Sequence, residues 1–514
     1  MENQLNNTAS CKRDGHHESL WQEHPIETKL PNASTNSDKI FDVLIIGGGI
    51  TGVTTALMLQ KKGMKCILAE GANIGFGSTG GTTAHLNTFF DSPYNTIEEN
   101  FGESNAKLVA QSGKDALSLI AKNVNDYNIN CDFEYKDSYI YAQTDEEVVA
   151  LKKIFTATKN SGIEVEEVDE INVPIDFLKA IKIPKQAQFH PLKYIDKLAE
   201  EFTKLGGVIM ENTFITNTKF KNGVHDAFSD LVTIKANHLF YATHLPPGIN
   251  IFSFSCAPYR SYVLCIRLND DNYPKGLAYD MEDPYHYYRS HVINGKTYLI
   301  LGGEDHKTGH GSPEDSFKNL EKYAHQHYDI NSIDFRWSSQ YYTPVDGLPY
   351  IGEMPIGENT YLATGYDGNG LIFGTLAAII ISDLIANADN QYADLYKPSR
   401  LKPIAGFKEF VKENADVVYR FIADRFGEDN VESLNQIEPN CGKIIKYEDK
   451  KIAVYKDTDG QIHALNPTCT HVGCIVNWNN EEKSWDCPCH GGRFDKDGKI
   501  LCGPPLKDLE KIEI

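Results

Sequence analysis

The stretch "CTHVGCIVNWNNEEKSWDCPCHGGRF", residues 469–494, gathers four cysteines and two histidines close to the end of the chain. Cysteine and histidine pairs at short spacing are common tetrahedral zinc ligands. The spacing here departs from a zinc ribbon, which sets one C-x2-C pair against another. The pairs are instead C-x-H (Cys469, His471) and C-x2-H (Cys487, His490). A two-iron centre with two thiolates on one iron and two imidazoles on the other needs one Cys and one His from each of two loops. The string offers that set. Such a centre moves one electron at a time and does no substrate chemistry itself, so the rest of the chain must say what it is wired to.

A second chemical signal lies in "KIFDVLIIGGGITGVTTALMLQKKGMKCILAEGA". Residues 41–46 predict a short buried parallel strand, residues 54–62 have helical spacing, and residues 65–69 predict a second strand ending at Glu70. Between them Gly47, Gly49 and Gly52 make G-x-G-x-x-G. Gly47 allows the tight turn, Gly49 lets backbone N–H groups approach a pyrophosphate at the helix N-terminus, and Gly52 lets helix and strand pack closely. Glu70 can accept from a ribose hydroxyl. The order strand, turn, helix, strand, acid makes the motif specific. Further on, "LFYATHLPPG" predicts a strand running into Ala242 and Thr243. "TYLATGYDGNGLIFGTLAAIIISDLI" predicts a strand, a turn at Gly365, Gly368 and Gly370, and a helix. A second helix N-terminus returning to the nucleotide fold suits a flavin, because its positive end stabilises the anionic side of the reduced ring.

At these residues two resemblances are plain. Residues 469–494 resemble a Rieske iron-sulfur domain of the disulfide-bearing kind, and "GPPL" (503–506) looks like the proline loop that covers the cluster in that family. The resemblance implies Cys469, His471, Cys487 and His490 as ligands of a [2Fe-2S] cluster and a disulfide between Cys474 and Cys489. Residues 38–395, with "YYTPVDGLPYIGEMP" (341–355), resemble the D-amino-acid oxidase and sarcosine oxidase superfamily of FAD enzymes. That implies an α/β FAD-binding domain, Rossmann-like and of the glutathione-reductase type, with an antiparallel-sheet substrate domain, beside a small all-β Rieske domain. It also implies that Asp346, Gly347, Gly365, Gly368, Gly370 and Leu371 line the flavin, with Thr243 at the end of its strand. Residues 190–199 and 208–213 would be the returning helix and strand. Where relatives attach flavin covalently, this chain has Ser339 and Gly81, so FAD is expected to be non-covalent. Where high-potential Rieske proteins carry a serine and a tyrosine that donate to the cluster and to a cysteine sulfur, this chain has Gly492 and Phe494. That implies a midpoint in the lower half of the Rieske span of about −150 to +300 mV. Together the two ends resemble bacterial flavoproteins with a C-terminal Rieske domain.

The elements that must position these groups fall into four expected segments: a disordered tail over 1–38, the FAD-dependent oxidoreductase over 39–395, a helical linker over 396–430 broken by Pro398 and Pro403, and the Rieske domain over 431–514. Helices are predicted over 104–125 and 144–160, strands over 139–142, 263–268 and 297–301, and a hairpin turn at Asp459 and Gly460. A net charge of −21 over 514 residues disfavours nucleic acid as a partner, since phosphate binding needs a basic face. The longest apolar run, residues 371–381, is too short to span a membrane. Seven further cysteines (Cys11, Cys66, Cys131, Cys256, Cys265, Cys441 and Cys502) form no framework, which fits a reducing cytoplasm with one sheltered disulfide.

The superfamily resemblance implies oxidation of an amine or amino-acid C–N bond. Substrate groups are expected in "APYRSYV" (Arg260), "DPYHYYRSH" (Tyr285, His286, Tyr288, Arg289) and "GGEDHKTGH" (Asp305, His306, Lys307), with an Arg beside aromatic rings suiting a carboxylate. Tyr341 is expected to face the flavin. The leading expectation is a dehydrogenase whose flavin passes single electrons through the Rieske cluster to a soluble acceptor, with Tyr341, Arg289, Arg260 and His306 acting on substrate. An oxygen-using amine oxidase with a structural Rieske domain is the alternative, although no lysine falls within 297–301 where oxidases of the family place one; Lys296 and Lys307 only flank it. A redox carrier or sensor without substrate turnover is the third. His306 and His310 do not make a mononuclear iron site, which needs a carboxylate and its own domain.

Overall fold

The run "FDVLII" has no polar face to offer water, so it belongs where both faces of a sheet are covered. In the computed structural model, which describes residues 13–23, 39–400, 434–447 and 450–514, the strand Ile40–Ile46 is interior, with Val43, Leu44 and Ile45 fully buried. It pairs in parallel with Cys66–Ala69 on one side and Thr233–Tyr241 on the other. The parallel set continues to Val208–Met210 at one end and to Thr360–Thr364 at the other, and Tyr350–Glu353 closes the edge antiparallel. The helix Ile50–Lys61 follows the first strand, and Pro191–Lys204, capped at its N-terminus by His190, leads into Val208–Met210. The helix Gly370–Ile385 packs against the first one.

A second, nine-stranded sheet forms the substrate half. Next to one edge runs the long strand Cys256–Leu268, antiparallel to both the edge strand Ile330–Pro344 and Lys296–Lys307. Glu134–Ala142 joins it in parallel with Leu277–Tyr279. The helix Asp145–Asn160, with a reciprocal Thr144–Glu147 capping box, packs on Glu134–Ala142 and Lys179–Gln188, and Glu103–Asp126 lies against Gly370–Ile385. The C-terminal domain is all β: an antiparallel three-stranded sheet over Cys441–Leu465 and a four-stranded one over Asn477–Cys502. The expected turn is there, with Gly460 donating to Asp457.

The N-terminal segment departs from the expected tail. Residues 13–23 are ordered, and Arg13, Ser19, Leu20 and Trp21 are fully buried. Trp21 Nε1 donates to Thr82 O at 2.6 Å and Ser19 Oγ to Gly80 O at 2.6 Å. The polar composition of residues 1–38 conceals the apolar pair Leu20–Trp21, which anchors a strap across the FAD half. The rest of that tail, and residues 401–430 of the expected linker, lie outside the described residues.

Candidate active site

The G-x-G-x-x-G turn is shaped by what a side chain would strike. A Cβ on Gly52 would stand 1.9 Å from Gly47 O, so helix and strand meet only with glycine there; Gly47 itself has φ +111. The turn opens into a cavity of about 350 Å³ that runs from Gly47, Gly49 and Glu70 past Thr79 and Thr243 to Gly368, Gly370, Leu371 and Tyr341. Glu70 is braced for that position, accepting from Gly48 N at 2.6 Å and Ala72 N at 2.8 Å. Nothing lies within 4 Å of a Cβ on Gly370, at the start of its helix. An elongated cleft between two helix N-termini, bordered by backbone N–H groups and a braced carboxylate, fits a dinucleotide with its pyrophosphate at the first turn.

Seven of the eleven predicted cofactor residues line this cavity. Gly52, Asp346, Gly347 and Gly365 do not; Gly347 turns instead beside Ser92, whose Oγ a Cβ there would meet at 2.8 Å. Gly52 acts beneath the turn. Asp346 is buried in a two-bond pair with Arg400, Nε and Nη2 each at 2.8 Å, so its expected flavin contact is corrected to a tie between the strand end and the chain beyond residue 396. Gly365 packs beside Cys256 and Pro344, where a Cβ would meet each at 3.1 Å. Gly81 and Ser339 both border the cavity, and a Cβ on Gly81 would reach Ser339 Oγ at 2.7 Å. The two positions used elsewhere for covalent attachment are thus neighbours here, and neither is Cys or His.

The Rieske-like tip is built from two loops clamped by a Cys474–Cys489 disulfide. Cys469 and Cys487 are buried and share a hydrogen bond. The His471 and His490 rings stand edge to face at 4.9 Å. His471 Nε2 lies 3.2 Å from Gly248 O, which places its proton there and leaves Nδ1 as a buried lone pair without a protein partner. Both ring nitrogens of His490 are likewise buried and unpartnered. Two soft sulfurs and two imidazoles with uncommitted lone pairs at one buried point fit a [2Fe-2S] centre of the Cys2His2 kind. Gly492 has no room to spare: a Cβ would lie 2.6 Å from Pro505 and 3.6 Å from Cys469 Sγ.

That tip is pressed against the flavin cavity. Ile500, Leu501, Cys502, Gly503 and Pro505 line the cavity itself. Gln340 Nε2 donates to Gly491 O at 3.0 Å, Tyr342 Oη to His490 O at 3.1 Å, and Gly248 N to Pro504 O at 3.0 Å. His244, in the same turn as Thr243, also borders the cavity, and burial pushes its imidazole down to about 4. None of these contacts was foreseen in the sequence, because they join segments far apart along the chain.

Of the four residues expected to act on substrate, only Tyr341 borders the cavities. It lines both the flavin cavity and an adjoining one, and its hydroxyl donates to Asp305 Oδ2 at 2.8 Å. Arg260 points to the domain junction, bonding Ser338 Oγ at 2.8 Å beside Glu482 at 3.3 Å. Arg289 is consumed by Thr83 O, Ala84 O and His291 Nδ1. His306 bonds Tyr262 Oη at 2.8 Å. These three are corrected to structural roles. Among the other candidates, Tyr285 and Asp305 border the second cavity, whereas His286 is paired to Asp280 at 2.8 Å and Tyr288 bonds Tyr323 within the core.

Comparison with known proteins agrees with this division. The profile of the FAD dependent oxidoreductase family (DAO) matches residues 42–384, and that of the Rieske [2Fe-2S] domain matches residues 430–513. The chain is 32% identical over 502 residues to YhfW of Bacillus subtilis (strain 168), a protein named for a Rieske 2Fe-2S iron-sulfur centre, covering 97% of this chain and 98% of that one. It is 23% identical over 380 residues to the gamma-glutamylputrescine oxidoreductase of Escherichia coli (strain K12), covering 69% of this chain and 86% of the relative. Glycine oxidase from Geobacillus kaustophilus has the same fold over 70% of this chain and 99% of its own, with a TM-score of 0.59 at 19% identity. No helix among the described residues is long and apolar enough to cross a membrane.

Proposed function

The chain belongs to the FAD dependent oxidoreductase family and carries a Rieske [2Fe-2S] domain, and from that premise we propose that it dehydrogenates an amine or amino acid and sends the electrons out singly through the Rieske centre to a separate acceptor. FAD, when bound, accepts a hydride from the carbon that bears the nitrogen, and the [2Fe-2S] centre carries one electron at a time. Gly47, Gly49 and Glu70 would hold the dinucleotide, non-covalently; Gly368, Gly370 and Leu371 would lie at its ring. Cys469, His471, Cys487 and His490 would hold the cluster.

One observation carries this reading: the strand that leads to the cluster-covering prolines, Ile500–Cys502, is with Gly503 and Pro505 itself a wall of the flavin cavity. The Thr243–Gly248 turn runs from that cavity to His471. A Rieske domain serving only as a structural appendage has no need to present its cluster face to the flavin. With Pro505 packed on Gly492, a serine in the high-potential position would displace a cavity wall, which supports a low potential that a flavin can match.

The test is an anaerobic titration of holoprotein with a panel of amines and amino acids, following flavin absorbance and the Rieske EPR signal. Bleaching followed by appearance of the reduced-cluster signal is expected, and in His490→Cys the bleaching should persist while the Rieske signal is lost. Stoichiometric peroxide in air with the cluster never reduced would instead make the protein an oxidase.

A further inference from the structure

The second cavity, about 280 Å³, opens off the flavin cavity and shares Thr82, Thr83, Tyr287, Tyr341 and Gly368 with it. Its walls combine two kinds of group. Tyr279, Tyr285, Tyr287, Tyr341 and Phe89 offer ring faces and edges. Asp305, half-buried, and Asp91 turn carboxylates to the chamber, and Asp367 borders the flavin side. Asp305 accepts from Ser261 Oγ and from Tyr341 Oη at 2.8 Å; Asp91 accepts from Gly368 N at 2.6 Å; Asp367 accepts from Thr343 Oγ1 at 2.7 Å. Every one of these donors is neutral. Among the described residues no Lys or Arg lines either cavity, and Arg260 and Arg289, expected to face substrate, are committed elsewhere.

Resting on the dehydrogenase reading above, we propose that the second cavity binds its substrate as a cation: an alkylamine without a carboxylate near the reacting nitrogen, held between Asp305, Asp91 and the tyrosine rings. An α-amino acid would bring its carboxylate into a chamber of uncompensated carboxylates with no guanidinium to receive it, whereas an ammonium supplies the missing counter-charge and gains from the ring faces. Hydride loss needs a free nitrogen lone pair. The ammonium R–CH2–NH3+ therefore first gives one proton to a carboxylate, then the C–H bond breaks with its electron pair passing to the flavin, and R–CH=NH2+ remains for hydrolysis. Asp305 is suited to take that proton, since burial with Asp91 nearby pushes its carboxyl up to about 7 against the pull of Ser261 and Tyr341. Asp91, Asp367, the hydroxyls of Tyr285, Tyr287 and Tyr341, and His286 are the other titratable groups facing it.

The test uses oxidised holoprotein and two near-isosteric probes that cannot be turned over, butyltrimethylammonium and 4,4-dimethylpentanoate, with binding read by calorimetry and by perturbation of the flavin spectrum. The cation should bind at least tenfold tighter than the carboxylate. Asp305→Asn should weaken it tenfold or more, and Asp91→Asn serves the same purpose if the first variant fails to retain flavin. A carboxylate that binds as tightly as the cation, or a cation affinity unmoved in the flavin-replete variant, overturns the inference. The two readings fail separately. If the cation binds but no amine ever bleaches the flavin, dehydrogenation is wrong and the cationic site stands. If amino acids bleach it and the carboxylate probe competes, the reverse holds.

Discussion

Two regions of this molecule hold carboxylates in opposite circumstances. At the junction of the strap, the FAD half and the Rieske domain, Asp14, Glu482 and Asp486 meet Arg13, Arg260 and Arg493, all nearly or fully buried. Glu482 lies at the centre, 3.3 Å from Arg260 and 3.6 Å from Arg13, and accepts from Ser338 N at 3.0 Å. In the second cavity Asp305 and Asp367 are half-buried and Asp91 is open to the empty chamber, and all three receive only neutral donors. Removing a carboxylate from water raises its proton affinity. At the junction the guanidiniums of Arg13, Arg260 and Arg493, with the Ser338 hydroxyl, outweigh it and hold Glu482 far below the usual carboxylate range. In the cavity nothing does, and Asp305 rises to about 7 and Asp91 to about 6. The matched set is finished within the chain and acts as a latch. The unmatched set is finished only by something that arrives.

The largest effect should come from breaking the latch. Glu482→Gln leaves Arg13 and Arg260 facing each other without their shared anion, a loss of about 3–5 kcal/mol for a buried ionic network deprived of one partner. Calorimetric melting of the holoprotein should drop sharply. Flavin bleaching by an amine should keep its rate, while reduction of the cluster should slow at least tenfold, because the tip no longer rests on the cavity wall. An unchanged melt with unchanged cluster reduction would show that the junction is packing and nothing more. Wild-type stability from Glu482 is present above its unfolded value of about 4.5 and is lost as pH falls towards its depressed folded value.

How much of this contrast is legible in the sequence depends on how local each group is. The cluster set and the G-x-G-x-x-G turn are read directly, since their residues are neighbours in the chain and spacing alone constrains the geometry. The Cys474–Cys489 bridge joins loops only 15 residues apart. Arg260 and Arg289 mislead because an Arg among aromatic residues on a strand does not reveal which face of the sheet it takes. Arg260 points to Glu482 in another domain and Arg289 to the carbonyls of Thr83 and Ala84. Asp91 reaches the cavity from a loop and Asp305 from the long strand Lys296–Lys307; only the nine-stranded sheet brings them together. Arg13 and Asp14 lie in a stretch whose composition is that of a tail, and their partners are contributed by domains that end hundreds of residues later.

A middle-sized effect should appear in the cavity, with the opposite sign. A folded carboxyl held at about 7, against an ordinary aspartate value of 3.8, binds its proton more tightly than the unfolded chain does. Stability in the absence of amine therefore falls as pH rises from about 4 to about 7. Asp305→Asn removes one contributor and should raise the melting temperature of amine-free holoprotein at pH 8. A tenfold difference in proton affinity between the folded and unfolded chain corresponds to about 1.4 kcal/mol, and with water entering the cavity a gain on the order of 1–2 kcal/mol is expected. The wild-type decline should flatten without vanishing, because Asp91 and Asp367 titrate in the same chamber. A variant that melts lower at pH 8 would mean that Asp305 already has a counter-charge, which would erase the difference between the two regions.

The smallest effect tests whether the cavity's neutral donors tune it. Tyr341 gives Asp305 one of its two side-chain hydrogen bonds, and its own hydroxyl is pushed well above the usual range by burial and by Asp305, so it stays protonated and keeps its hydrogen available to the carboxylate. Tyr341→Phe leaves Ser261 as the remaining donor to the carboxyl. Losing a bond to the charged form raises proton affinity, and a single neutral donor is worth about 1 kcal/mol. The pH at which butyltrimethylammonium affinity falls off on the acid side should therefore move upward by less than one unit. Affinity near pH 9, where Asp305 is ionised in either form, should change only by what the lost ring hydroxyl contributes. The junction does not touch Tyr341, so melting at pH 5 should stay with the wild type. A fall-off that stays in place would mean that the carboxylate governing cation binding is Asp91 rather than Asp305, since Asp91 draws its bonds from Gly368 and Tyr285 and not from Tyr341.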